Sequence, residues 1–545
     1  MNILTKTELN TLLSSGRIEL SAGTYCFPID FSYDFGSLDV YIQGVAGKTV
    51  ITTYDGTAAT DFSPKEIDTT QPDNNLDGLY VVGKHPVTSY GGGLAHLNLK
   101  GVYNTNGENV FYVQGTVLKK SNGIWSRHYT GAGFITQGNL IVKDVIFDNC
   151  QFYILSPFSL MGKLTTSENF EVDNCKFNNV ARVISSITYG GIDQKPNWYN
   201  TLQYYSAVGQ LRFKNFKMTN NEFSKIHSFI VGGFPPSEIT TITNNTIRDC
   251  NTILHCFNLF IKCYGNDDYF RDRISQNISN NFFINIKPIA NNWTTSLIRT
   301  SGMATINANQ FIDCSQQICF LSGGQSIFSN NMVSKWVDGV ELQSPVILVK
   351  TGPSTNLITG NNIVAPMSTI VALEGTSNTI ITGNNIIGLT RYRTVSPTTL
   401  GISKDRVYYV TNLAKFKELA INYDNTVINN CHVFYNKTTQ KWSKTVINNI
   451  GFLFSKADGA IGTQYLKVSN NVLEVEGLTN VSSRVGSNFK SILINDNDIT
   501  GSIYLHLGLT PIDDYVFTNN YLKTPLTHSG TQVRNIYNEN NKVAK

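Results

Sequence analysis

Along most of the chain the apolar and polar positions follow one short phrase: an apolar residue, two spacers, an anchor, one spacer, another apolar residue. The anchors are Cys150, Cys175, Asn221, Asn245, Asn281, Asn309, Asn331, Asn361, Asn384, Asn471, Asn497, Asn520 and Asn541. Two places after them stand Phe152, Phe177, Phe223, Ile247, Phe283, Phe311, Val333, Ile363, Ile386, Leu473, Ile499, Leu522 and Val543, all apolar. Three places before them the residue is apolar everywhere except at Asn538. Seven of the 12 gaps between anchors are 21–26 residues long.

A period near 23 residues, rich in β-branched and aromatic side chains, predicts one solenoid coil per repeat. Leucine-rich repeats share that period, but their leucine consensus is absent. Asn tolerates left-handed backbone, and its amide can bond neighbouring backbone groups. Stacked coil upon coil, such amides form ladders. The fold expected is all-β, a right-handed single-stranded parallel β-helix.

The ends and the long gaps complete the layout. TKTELNTLLSSG has the spacing of a short helix, a cap for the edge of the first coil. IELSAGTYCFPIDF then reads as strand, turn, strand. The expected organisation is a cap over 1–35, β-helix over 36–390, an insertion or irregular coils over 391–460, and further coils over 461–545. Insertions fall at about 184–212 and 255–275. The largest gap leaves room for a weak coil around Asn430, and its CHVFYNKTTQKWSK reads as a hairpin. Solenoid insertions tend to sit on the binding face.

Composition narrows the function. Only 15% of residues are charged, against about 25% in a typical soluble domain. There are 61 Asn, a poor helix former. A formal charge of +4 without any Lys/Arg run argues against nucleic-acid binding. No apolar run is long enough for a membrane span, and MNILTKTELNTLLSSGRIEL has no secretory pattern. Nine cysteines without CxxC pairs argue against a disulfide framework or zinc site, and several of them read as small buried hydrophobes, suited to a reducing cytosol.

The cap-like opening through GTYCF, the coils of the ITGNNI and ISNNFF type, and the missing secretion signal together resemble the tailspike and receptor-binding proteins of tailed bacteriophages. The resemblance covers residues 10–545. It implies a homotrimer in the virion tail, made in the host cytoplasm, that contacts other tail proteins and binds bacterial surface polysaccharide, capsule or O-antigen. Many such proteins depolymerise it. Two parts of the family pattern, an N-terminal virion-binding domain and a C-terminal trimerisation domain, have no counterpart in the residues, which leaves the mode of attachment open. Pectate lyases and alginate epimerases share the β-helix, so the alternatives are a non-catalytic receptor-binding protein and a lyase or epimerase acting on uronic acids.

Glycoside hydrolysis needs two carboxyls, about 5–5.5 Å apart in retaining enzymes and about 6.5–9.5 Å in inverting ones. Asp249 and Asp313 each stand four places after an anchor and just before a cysteine. Two coil steps, about 9–10 Å, would separate them. The bland reading is a polar column at a turn, because Asn179, Lys225, Asn285 and Lys335 hold equivalent positions. In KWVDGVELQS, alternation turns Glu341 and Gln343 outward, with Asp338 at the turn before. Arg299 and His255 are expected on the same side, and the bland reading is a solvated strand face. The loop GNDDYFRDR offers Asp268, Asp272 and Arg271, or simply solubilises itself; no full calcium loop is present. Trp198, Tyr204 and Tyr205, in an insertion also rich in Tyr189 and Tyr199, with Trp293 and Trp336 on later coils, are candidate sugar platforms or packing groups. GGGLAH at 91–96 reads as a coil turn and not a nucleotide loop. No metal or cofactor is expected.

Overall fold

The structure is a computed structural model. It describes residues 2–28, 39–54, 88–89, 91–95, 98–100, 119–121, 124–126, 134–136, 140–148, 153–160, 165–178, 182–185, 187–189, 211–226, 228–231, 239–250, 254–255, 275–286, 296–314, 317–334, 346–365, 369–373, 377–388, 393–394, 406–410, 431–436, 441–444, 452–456, 462–474, 477–481, 487–500, 504–506, 512–523, 525, 527–529 and 533–544. The chain divides into two compact units. One comprises Met1–Ala290 and Leu297–Thr305, the other Asn291–Ser296 and Ile306–Lys545.

The first unit opens with helix α1, Lys6–Leu13. The Thr5 hydroxyl accepts the Glu8 N–H at 3.2 Å, and the Glu8 carboxylate accepts the Thr5 N–H at 2.7 Å. This reciprocal cap satisfies donors that a helix start leaves free. It also holds the Glu8 carboxyl below its ordinary pKa. Leu9 and Leu13 are the buried face of α1. The sequence expectation of a capping helix followed by strand, turn and strand holds, with strands Arg17–Glu19 and Gly23–Pro28.

The coils then stack as a parallel β-helix. On the first face of this unit, Gly23–Pro28, Thr49–Tyr54, Asn98–Lys100, Ile146–Asp148, Lys176–Asn178, Glu222–Ser224, Thr246–Arg248 and Phe282–Ile284 pair in succession, all parallel. The second face includes Phe134–Thr136, Tyr153–Leu160, Arg182–Ser185 and Ser228–Val231. The third face includes Leu140–Lys143, Thr165–Asp173, Leu211–Thr219, Ile239–Thr243 and Ser275–Ser279. Parallel strands suit this arrangement because every inner strand has a neighbour on both edges.

Each coil turns from its third to its first face through one left-handed residue, φ between 52° and 59° at Asp144, Asn174, Asn220, Asn244 and Asn280. The left-handed residue therefore precedes the anchor and is not the anchor itself. The anchor points inward: Asn221, Asn245 and Asn281 are at most 2% exposed. Two places on, Phe147, Phe177 and Phe223 stack with centroids 4.6 and 4.8 Å apart. Burying a side chain of this size contributes about 1.5–3 kcal/mol.

Two sequence readings are corrected here. Cys150 is not an anchor; it lies outside the described residues, and Val145 holds the position. Phe147 is in register with Phe177, and Lys176 N–H bonds the Val145 carbonyl as Glu222 N–H bonds that of Cys175. The phrase was misread because Phe147, Cys150 and Phe152 repeat the same spacing five residues late. Residues 91–95 are a strand of the third face, not a turn: Gly91–Ala95 pairs with Asp39–Gln43 and with Leu140–Lys143.

The second unit repeats the coil. Its first face runs Gln310–Ile312, Met332–Ser334, Asn362–Ala365, Asn385–Gly388, Val472–Glu474, Asp498–Thr500, Tyr521–Leu522 and Lys542–Val543. Long strands such as Gln317–Ser329 and Ile347–Thr359 serve both the second and third faces, and their pairing shifts register between Ser322 and Gly324 where the coil bends. The gap from Asn384 to Asn471 is one rung, with both the N–H and the amide of Asn384 on the Asn471 oxygen at 2.9 Å. The stretch around Asn430 therefore adds no rung between these two anchors, and Asn430 itself lies outside the described residues. Cys431–Asn436 and Lys441–Lys444 instead form the expected antiparallel hairpin, extended by Arg406–Val410 and Arg393–Thr394. No helix among the described residues is long and apolar enough to cross a membrane.

Candidate functional site

The amide ladder dominates the interior. Asn331 donates its N–H and side-chain amide to the Asn361 oxygen at 2.8 and 3.1 Å, and Asn361 does the same to Asn384 at 2.9 and 2.9 Å. The second amide proton reaches back to the previous coil, from Asn361 to the Phe328 carbonyl and from Asn384 to that of Ile358, both at 2.9 Å. In the first unit Asn221 and Asn245 behave identically. These buried, fully engaged amides are structural.

Asp249 and Asp313 fall in different units, and each is placed by a second left-handed turn. Lys225, Asp249 and Asn285 share φ of 53°, four places after their anchors, and the next residues, Ile226, Cys250 and Ile286, are buried. Asp249 N–H bonds the Ile284 carbonyl at 3.0 Å, and Asp249 Oδ1 accepts the Asn285 amide at 2.6 Å. That is the turn column of the bland reading, with its charge already engaged. Asp313 also has φ 53° and donates its N–H to the Ser334 carbonyl at 3.1 Å. Its Oδ1 differs: it is buried with no hydrogen-bond partner among the described residues. A buried carboxylate oxygen left free is costly and marks a position where chemistry or a missing partner must account for it.

His255 and Arg299 occupy facing register positions on the adjacent parallel strands Leu254–His255 and Ser296–Ser301. Asp338, Glu341, Gln343, Trp336, Asp268, Arg271, Asp272, Trp198, Tyr204, Tyr205 and Trp293 lie outside the described residues. The surrounding charges are used locally: Glu222 binds Arg248 at 2.7 Å and Lys176 at 3.7 Å across three successive coils. The thiols of Cys175 and Cys250 are buried, and desolvation pushes both up to about 12. They are inert hydrophobes and not nucleophiles.

Two features escaped the sequence reading. Polar residues enter the core five places before the anchor, at Ser326, Asn356 and Thr379, which are in register and at most 1% exposed. In the same strands the position one place later, Ile327, Leu357 and Ile380, is apolar yet faces outward. The signal was present in QSIFS, TNLIT and NTIIT, where both alternating rows carry an apolar residue, so alternation alone does not say which is the core. The chain matches no model of a known protein family and no curated protein.

Proposed function

We propose that the protein is a tailspike-like receptor-binding protein of a tailed bacteriophage that binds bacterial surface polysaccharide and depolymerises it by hydrolysis. The observation that supports this reading best is the helix-capped, amide-laddered parallel β-helix, whose inserted segments leave from the corners of the coils. Such a scaffold holds polar groups at fixed coil spacing, which suits a polymer whose sugars repeat along one direction. In this reading one carboxylic acid protonates the leaving glycosidic oxygen and a second carboxylate activates water. Asp313, whose Oδ1 has no partner among the described residues, and Glu341 are the carboxyls proposed for these roles. His255 and Arg299 would contribute sugar contacts.

The test is incubation of the purified protein with polysaccharide from a susceptible host. Hydrolysis yields new reducing ends without the ultraviolet absorbance of an unsaturated uronic acid; elimination yields that absorbance. Asp313→Asn keeps the turn, since Asn285 already adopts the same φ. It and Glu341→Gln are each expected to lower cleavage on the order of 100-fold or more. Full activity in both variants would remove the site assignment, and binding without shortened chains would leave the non-catalytic reading.

A further inference from the structure

Residues 389–451 hold a separate sheet of four strands, in the order Arg393–Thr394, Arg406–Val410, Cys431–Asn436, Lys441–Lys444. Register partners share a face of a sheet, and so do residues two apart along a strand. Arg406, Tyr435 and Trp442 are partners in one row. Arg393, Tyr408, Val433 and Lys444 are partners in the next row on the same face. That face therefore gathers three aromatic residues and three cations. The opposite face takes Val407 with Phe434 and Tyr409 with His432. No strand position of this sheet is Asp or Glu. Residues 389–451 carry nine Lys or Arg against three Asp or Glu, although the whole chain is only +4. The rest of the chain is therefore net acidic, and the surplus positive charge belongs to this insertion. Like charges drawn together on one sheet face are destabilising, so the arrangement costs the fold stability that a bound anion would return.

We infer that this face binds an acidic polysaccharide, one whose repeat carries a carboxylate. The inference rests on the polysaccharide reading of the protein and adds the class of sugar and the place of contact. Tyr and Trp combine a large apolar ring with a polar tip, which suits a sugar with an apolar face and a polar rim. Arg offers a planar fork that pairs with a carboxylate through two N–H groups, and Lys adds a point charge. Adjacent strands lie about 4.8 Å apart, so the row from Arg393 to Lys444 spans about 14 Å, enough for a short stretch of polymer. Single-stranded nucleic acid also stacks on rings beside cations, but it carries a charge at every nucleotide. The net acidic remainder of the chain repels so dense a polyanion and tolerates a polymer charged once per repeat.

The test is binding of the full chain to three immobilised probes, measured by surface plasmon resonance. They are surface polysaccharide from a susceptible host, the same polymer with its carboxyls reduced to alcohols, and oligothymidylate. The wild type is expected to bind the native polymer about tenfold or more tighter than the reduced one. Trp442→Ala and Arg406→Gln are each expected to weaken that binding about tenfold, with unchanged far-ultraviolet circular dichroism. Arg406→Gln should also narrow the preference for the native polymer, which loss of packing alone would not do. Ser443→Ala, on the opposite face, is expected to bind as the wild type does. Should Trp442→Ala fail to fold, Arg393→Gln on the edge strand carries the same expectation. Equal binding of the native and reduced polymers overturns the inference, as does binding of a host polymer that has no carboxyls. Tighter binding of oligothymidylate than of polysaccharide overturns it in favour of nucleic acid. A wild type that binds and cleaves the native polymer, with the Trp442 and Arg406 variants doing so equally well, sinks this face and leaves the polysaccharide reading standing. A wild type that binds no polysaccharide at all sinks that reading itself.

Discussion

Asn361 shows what the anchor asks of a side chain. Its oxygen accepts both the N–H and the amide of Asn331, and its own amide donates to Phe328 and to Asn384. Only a short side chain with both an acceptor and a two-proton donor closes this circuit, which excludes Asp and Ser. Asn361→Ala strands the Asn331 donors in the core at about 1–3 kcal/mol for each group left unsatisfied. The expected loss is therefore about 3 kcal/mol or more, read as a lower midpoint in urea unfolding; a midpoint unchanged within error would mean the rung is not structural. The anchors were legible because this circuit repeats in type and spacing. Where it lapses, at Val145, the register was lost, since an apolar residue there satisfies burial without leaving a recognisable letter.

Turns and strands differ in how much they reveal. The left-handed residue before each anchor is Asn, Asp or Gly at most coils, so Asn–Asn and Gly–Asn pairs mark the corner, although the bend belongs to the first residue of the pair. Gly360 and Gly383 both have φ of 65°. A Cβ at Gly360 would lie 2.5 Å from Asn330 Oδ1, whereas at Gly383 the nearest atom is 3.8 Å away. Both Ala substitutions carry the left-handed penalty of about 1–2 kcal/mol, and Gly360→Ala additionally displaces the Asn330 side chain. Gly360→Ala is thus expected to melt at a lower temperature than Gly383→Ala, and the reverse order would contradict the account. Strand faces were less legible. GGG at 91–93 reads as a turn locally, yet pairing on both edges makes it a strand. The outward Ile327 column hid because an apolar residue in the outer row reads the same in the sequence as one in the inner row. The candidate site was legible mainly as chemistry. Asp313 stands out by an oxygen with no partner among the described residues, a property of burial that no spacing conveys.

At the scale of the molecule, stacking makes the coils nearly independent of what is inserted between them. Residues on either side of the largest insertion pair directly: Ser377–Thr382 with the strand around Gln464–Ser469, and Thr369–Leu373 with Phe452–Lys456. Replacing 389–451 by a two-residue link like 475–476, which joins the first and second faces one coil later, keeps both of those pairings and removes only the strands of the hairpin sheet. The shortened chain is expected to fold with one cooperative transition, checked by calorimetry, and an unfolded product would show that the insertion props up the stack. Loss of polysaccharide binding by a folded deletion would place recognition in the insertion. The ladder also bears on how the molecule ages. Asparagine decays when the backbone nitrogen of the following residue attacks its side-chain carbon. After Asn244 that nitrogen belongs to Asn245 and is held by Asn281 Oδ1; after Asn245 it belongs to Thr246 and is held by the Asn221 carbonyl. The same holds at Asn330 and Asn331, and at Asn470 and Asn471. The hydrogen bonds that align the coils thus occupy the nitrogens through which the amides would be lost, and a chain rich in a perishable residue is chemically durable where that residue is densest.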